Sequence, residues 1–177
     1  MSLIYITGIP GTGKSSVREE LLRRGYKAYG GAEDNIAAFY NNDTGQRLEG
    51  WIEAKDRTSE WKAKHTWKIT RETVQKLKEQ AKNEPIFLCA ITRNDVSELW
   101  DLFDTVIALT IDEETLRQRL ASRTNNDVGK TPDELQVILK RQQTASEDYK
   151  KFGAVMVDAT QPIERVVEQI LAEVNHA

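Results

Sequence analysis

Near its N-terminus the chain reads Gly8-Ile9-Pro10-Gly11-Thr12-Gly13-Lys14-Ser15, and no other stretch narrows the possible folds as much. Gly8, Gly11 and Gly13 permit positive φ and leave room for backbone amides to close around an anion. The lysine can reach the outer groups of a phosphate chain, and the hydroxyl beside it is a natural ligand for a hard divalent cation. A glycine-rich turn that binds nothing needs no special context. A phosphate loop needs a strand to deliver it and a helix to leave it, because the positive helix N-terminus faces the same anion. Both flanks are present. Leu3 to Ile6 reads as a short apolar strand, and a helix runs from Lys14 to about Arg24, stopped by Gly25. The motif is therefore read as a P-loop for ATP, with residues from Gly8 to Ser15 and the adjoining Ser16 on the nucleotide and Ser15 on Mg²⁺.

Strand and helix signals alternate downstream. Tyr26 to Tyr29, Ile86 to Ile91, Thr105 to Ile111 and Ala154 to Val157 read as further strands. Those around Ile86 and Val106 are unbroken apolar runs, as expected of strands buried on both faces. Helices are expected over Glu113 to Arg123, from Thr131-Pro132-Asp133-Glu134 to about Lys151, and from Pro162 onward with Val166, Val167 and Ile170 on one face. Asp95 with Glu98 suggests a capping box for a short helix through Trp100. Residues 33 to 83 read as mostly helical, with a turn near Asn41 to Gly45, and hold three of the four tryptophans. The pattern predicts one α/β domain over residues 1–177, with a parallel sheet of five strands and helices on both faces. A net charge of −3 gives no reason to expect nucleic acid or an anionic membrane as partner. The one cysteine, Cys89, excludes an intramolecular disulfide and favours a reducing, cytoplasmic setting. No stretch approaches the ~18 apolar residues of a membrane span, and no N-terminal leader pattern is expected.

With the P-loop in this setting, the chain resembles the small P-loop kinases, which act on nucleoside monophosphates, shikimate, gluconate or antibiotics. The resemblance spans the whole length, although only the P-loop is a specific motif. It implies a three-layer P-loop NTPase fold with a helical acceptor-side insertion over residues 33–67 and a lid loop over 124–130. It also implies transfer of the γ-phosphate of ATP, with Mg²⁺, to a nucleotide-, sugar-acid- or antibiotic-like acceptor by a monomer or homodimer. Leu116-Arg117-Gln118-Arg119-Leu120-Ala121-Ser122-Arg123 is similar to the segment entering the lid of those kinases, where arginines contact ATP. Arg119 and Arg123 leave one helix face, so they are candidates for stabilising transferred phosphate, as an alternative to a solvated basic face. Arg141, on the next helix, could approach from across the loop. Asp158-Ala159-Thr160-Gln161-Pro162 is similar to the loop on which such kinases rest adenine, which nominates Thr160 and Pro162.

Two family features are altered. The Asp-x-Asp that follows the second strand in many of these kinases is replaced by Gly30-Gly31-Ala32-Glu33-Asp34. Asp34 is the candidate catalytic carboxylate and, with Glu33, a candidate acceptor ligand, although both also suit a helix first turn. The Asp-Gly-x-x-Arg of nucleoside monophosphate kinases becomes Cys89-Ala90-Ile91-Thr92-Arg93, keeping only an arginine for an anionic acceptor. Within the insertion, Arg47, Arg57, Trp61, His65 and Trp67 mix charge with flat apolar area, which suits a ring-bearing or phosphorylated acceptor; the tryptophans equally suit packing of this lobe onto the core. A second functional class stays open. Val106 to Ile111 followed by Asp112-Glu113 superficially fits the Walker B strand of a triphosphatase, while Asp112 also fits a helix N-cap. A third reading is a nucleotide-binding regulator without turnover.

Overall fold

The computed structural model describes residues 2–92, 98–124 and 127–176. In chain order the elements are β1 (Leu3–Thr7), α1 (Lys14–Arg23), β2 (Lys27–Gly30), β3 (Ala38–Asn41), α2 (Ser59–Lys64), β4 (His65–Lys68) and α3 (Arg71–Gln80). They continue as β5 (Ile86–Cys89), β6 (Thr105–Thr110), α4 (Glu113–Ser122), α5 (Pro132–Lys151), β7 (Val155–Asp158) and α6 (Ile163–His176). Five strands form a parallel sheet in the order β2-β5-β1-β6-β7.

Every residue of β1 is buried, because helices cover both faces of the sheet. Successive side chains point to opposite faces. Leu3 and Tyr5 therefore enter one apolar cluster with Val74 and Leu77 of α3, where Tyr5 stacks on Phe103 at 4.5 Å. Ile4 and Ile6 enter the other with Val17 and Leu21 of α1 and Val166, Val167 and Ile170 of α6. Full burial of each such side chain contributes about 1.5–3 kcal/mol. A third cluster seats Leu116 and Leu120 of α4 against Ile138 and Leu139 of α5.

Helix starts follow the residues expected to cap them. Asp112 accepts from Thr115 N and Oγ1, and Thr131 accepts from Glu134 N with Pro132 in the first turn. Thr70 caps α3 in the same way. Among the described residues, no helix is long and apolar enough to cross a membrane.

The stretch expected to be mostly helical carries a second, two-stranded sheet. β3 pairs antiparallel with β4, placing Phe39 opposite Trp67, and Tyr40 makes a further bridge to Arg47. Before α3, the only helical pieces in this insertion among the described residues are α2 and a 3-10 turn at Ala54–Asp56. The ends of the segment are rich in aromatic and β-branched residues, which stabilise one another across a strand pair. The expected turn near Asn41 to Gly45 is present: Asn41 Oδ1 accepts from the amides of Asp43 and Thr44. Arg93 and the Asp95 end of the expected capping box lie outside the described residues.

Candidate active site

β1 has its two neighbours on opposite sides, β5 and β6, so the chain order reverses beside it and leaves a crevice at the strand ends. The P-loop leaves β1 at that end. Gly8 has φ +147°, and a Cβ there would stand 2.8 Å from Thr12 Oγ1 and 2.9 Å from the Leu109 carbonyl oxygen. Gly13, at φ +96°, turns the chain into α1, whose N-terminus points into the crevice. Above it opens a cleft of about 570 Å³ lined by residues 10–17 of the loop and α1.

Lys14 lies on the cleft floor, its Nζ donating to the carbonyls of Gly8 (2.7 Å) and Ile9 (3.0 Å). Burial, followed by the positive charge of Arg123, depresses its pKa to about 7. Arg119 connects the two sides of the nucleotide end. Its Nη1 donates to Thr12 O at 3.4 Å, and its Nη2 donates to Ala159 O at 2.8 Å, in the loop after β7. In that loop Asp158 accepts from Thr160 N and Oγ1, so the cleft is lined by Ala159 and Gln161 and not by the expected Thr160 and Pro162. Arg123 also lines the cleft and donates to Val128 O at 3.3 Å; burial lowers its pKa. Arg141 is exposed and does not line it.

The adjacent carboxylates after β2 separate. Asp34 accepts from Arg18 Nε (2.9 Å), Arg18 Nη2 (3.0 Å) and the Gly30 amide (2.7 Å), and it is not part of the cleft wall. Glu33 does line the cleft, and its Oε1 accepts from Ser15 Oγ at 2.6 Å. The carboxylate nearest the P-loop is therefore Glu33, where the sequence pointed first to Asp34.

Across the cleft stand Phe39, Trp51, Trp67, Ile91 and Val128. Trp67 donates its indole N–H to Ile91 O (3.1 Å), and its ring lies 5.7 Å from Trp51 and 4.9 Å from Phe39. Trp61 packs on Phe39 from behind, stacks on His65 at 4.3 Å and does not line the cleft. Arg47 donates to Asn35 O, also away from the wall. Arg57 is 6% exposed, lines the cleft, sits 5.0 Å over the Trp51 ring and pairs with Asp127 (3.2 Å) and Glu134 (3.3 Å). Asp127 in turn accepts from Trp51 Nε1 and the Ala54 amide, tying the expected lid segment to the insertion. Residues 125 and 126 of that segment lie outside the described residues. Nothing in the sequence spacing singles out Phe39, Trp51 or Asp127, because they come together only after the β3–β4 pair forms.

Asp112 and Glu113, which superficially fit the end of a Walker B strand, are placed elsewhere. Asp112 is occupied as the α4 cap, and Glu113 pairs with Arg117 on the surface. Neither lines the cleft.

Sheet order, loop and cleft together define a P-loop nucleotide-binding protein. A family model described as an AAA domain matches residues 4–150, and the chain belongs to that family. Its fold is that of the small P-loop kinases. It superposes on a gluconokinase from Sinorhizobium meliloti 1021 with TM-score 0.54 and 22% identity, covering 98% of this chain and 91% of that one. A shikimate kinase from Acinetobacter baumannii in complex with shikimate gives TM-score 0.63 and 13% identity, covering 99% and 94%. A deoxyadenosine kinase from M. mycoides with bound dATP gives TM-score 0.57 and 18% identity, covering 98% and 99%. No protein of curated function matches the sequence.

Proposed function

We propose that the chain is an ATP-dependent kinase that moves the γ-phosphate of ATP to a hydroxyl of a small-molecule acceptor in the cytoplasm. One observation carries this reading. Glu33 stands hydrogen-bonded to Ser15 at the P-loop, in a cleft whose opposite wall is built by the 33–67 insertion. A triphosphatase needs no such second wall, and the carboxylates that would serve one are turned away.

The nucleotide's phosphates rest on the P-loop amides and Lys14, with the base toward Ala159 and Gln161. Arg119 and Arg123 hold the loop and the cleft side and add positive charge where equatorial oxygens gain negative charge. The paired hydroxyl and carboxylate of Ser15 and Glu33 are hard oxygen donors that fit Mg²⁺, which commonly takes one or two protein oxygens beside phosphate and water. Held by Ser15 and Glu33, Mg²⁺ would supply positive charge that offsets the negative charge of the phosphates. Glu33 also faces the acceptor side, where its carboxylate oxygen accepts the acceptor hydroxyl proton as the oxygen attacks the γ-phosphorus and ADP leaves. The insertion and the 124–130 segment cover the reacting groups and exclude water.

Steady-state turnover of two variants tests the assignment. Glu33→Gln should lower acceptor-dependent turnover by about 10²–10⁴-fold, the usual contribution of a positioned general base. Glu113→Gln should leave it within about twofold, its lost pair with Arg117 being solvent-exposed. Severe loss in Glu113→Gln with an indifferent Glu33→Gln would make the protein a triphosphatase.

A further inference from the structure

The acceptor wall combines three aromatic rings with cations that are already neutralised. Phe39, Trp51 and Trp67 present ring faces and edges along the side facing the P-loop. Arg57, the guanidinium set among them, is matched by Asp127 and Glu134, while Lys62 reaches the same Glu134 at 3.2 Å. Two cations and two carboxylates leave this cluster with no net charge. Arg18, paired with Asp34, and Arg47, which donates to the Asn35 carbonyl, do not line the cleft. Arg119 and Arg123, the cleft-lining arginines whose printed partners are carbonyls alone, are assigned above to the transferred phosphate, so a carboxylate or phosphate held against the aromatic wall would be desolvated with no unassigned guanidinium of the described cleft lining to compensate it.

One polar group in the wall does have capacity to spare. Arg57 Nε is buried and has no hydrogen-bond partner among the described residues. A buried N–H left unmade costs free energy that a ligand's hydroxyl or carbonyl oxygen would recover. Resting on the kinase reading, we propose that the acceptor is an uncharged, ring-bearing hydroxyl compound. Its ring lies against Trp51 and Trp67, one of its oxygens accepts from Arg57 Nε, and its reactive hydroxyl is directed to Glu33. Transfer forms the bond from that hydroxyl oxygen to the γ-phosphorus and breaks the γ-phosphorus bond to the β-bridging oxygen. The hydroxyl proton passes to the Glu33 carboxylate.

Isothermal titration calorimetry on the full chain with an ATP analogue and Mg²⁺ tests the acceptor class independently of turnover. The probes are adenosine and thymidine as uncharged ring compounds, their 5′-monophosphates as the same rings with charge, and gluconate and shikimate as carboxylates. At least one uncharged ring compound should bind at least tenfold more tightly than its monophosphate and than either carboxylate. Trp51→Ala should weaken that binding about tenfold, in line with aromatic stacking, and Trp51→Phe should restore most of it. Tighter binding of a monophosphate or carboxylate, or no binding of either uncharged compound at millimolar concentration, overturns the proposal. ADP release with the bound compound is scored separately. Binding without turnover would reject the kinase reading while leaving the acceptor class standing.

Discussion

Nucleotide binding should draw a proton onto Lys14. In the protein alone, burial and the charge of Arg123 hold this ammonium at a pKa of about 7, far below the ordinary lysine value of 10.5. A triphosphate placed against the amine reverses the balance, since opposite charge favours the ammonium. At pH 8 roughly one-tenth of Lys14 is protonated before binding and nearly all of it afterwards, so uptake should be about 0.9 proton. The lysine's own share should fall to about 0.5 at pH 7 and about 0.1 at pH 6, where proton release from the ATP terminal phosphate increasingly offsets it. The terminal phosphate of ATP, with a pKa near ~6, is ionised before and after binding at pH 8 and adds little. Calorimetry of ATP binding at pH 8 in Tris and in HEPES, whose ionisation enthalpies differ, measures the uptake. Lys14→Arg keeps a cation that never deprotonates in this range and should abolish it. The sign also bears on stability without nucleotide. Between pH 7 and 10.5 the unfolded chain holds a proton on this residue that the folded chain lacks, so this residue makes stability rise with pH across that window. Wild-type uptake below about 0.2 proton at pH 8 would refute the depressed lysine.

Three further outcomes follow from the same contacts. Asp34→Asn should cost about 1–3 kcal/mol of stability, read as a lower denaturant midpoint, because it weakens a partly buried Arg18 pair and the tie to the Gly30 amide. Its kcat should stay within about threefold of the native value, since Asp34 does not line the cleft. Asp112→Ala should remove the α4 cap at a cost of about 0.5–2 kcal/mol in chemical denaturation, with turnover unchanged. Cys89 should resist iodoacetamide at pH 8 until the protein unfolds, because burial pushes its thiol up to about 12 and leaves only ~10⁻⁴ as thiolate.

What could be read from the sequence is what local spacing encodes. The P-loop declares itself in eight consecutive residues, and the strands that hold it are apolar runs. The caps Asp112 and Thr131 are as local, and both were identifiable before any fold was known. Residues 33 and 34 mark where this ends. Two neighbouring carboxylates are alike in spacing, and a tight turn separates them: Asn35 adopts φ 54°, and Asp34 closes back on the Gly30 amide. That leaves Glu33 facing Ser15. Of the aromatic wall only Trp67 stood out in the sequence, for a different reason. Phe39, Trp51 and Trp67 are separated by polar loop sequence, and their meeting depends on strand pairing between distant residues. The Asp127–Arg57–Glu134 cluster likewise joins segments about 70 residues apart, which no local pattern announces.

In the proposed kinase reaction, γ-phosphate passes to an acceptor hydroxyl and not to water. Incubating the protein with ATP, Mg²⁺ and an acceptor identified by calorimetry, and following the γ-phosphorus by ³¹P NMR, tests it most directly. A kinase should give a phosphate-ester signal rising one-for-one with ADP, little inorganic phosphate, and loss of both signals in Glu33→Gln. Equal release of ADP and inorganic phosphate at a rate indifferent to the acceptor would contradict it.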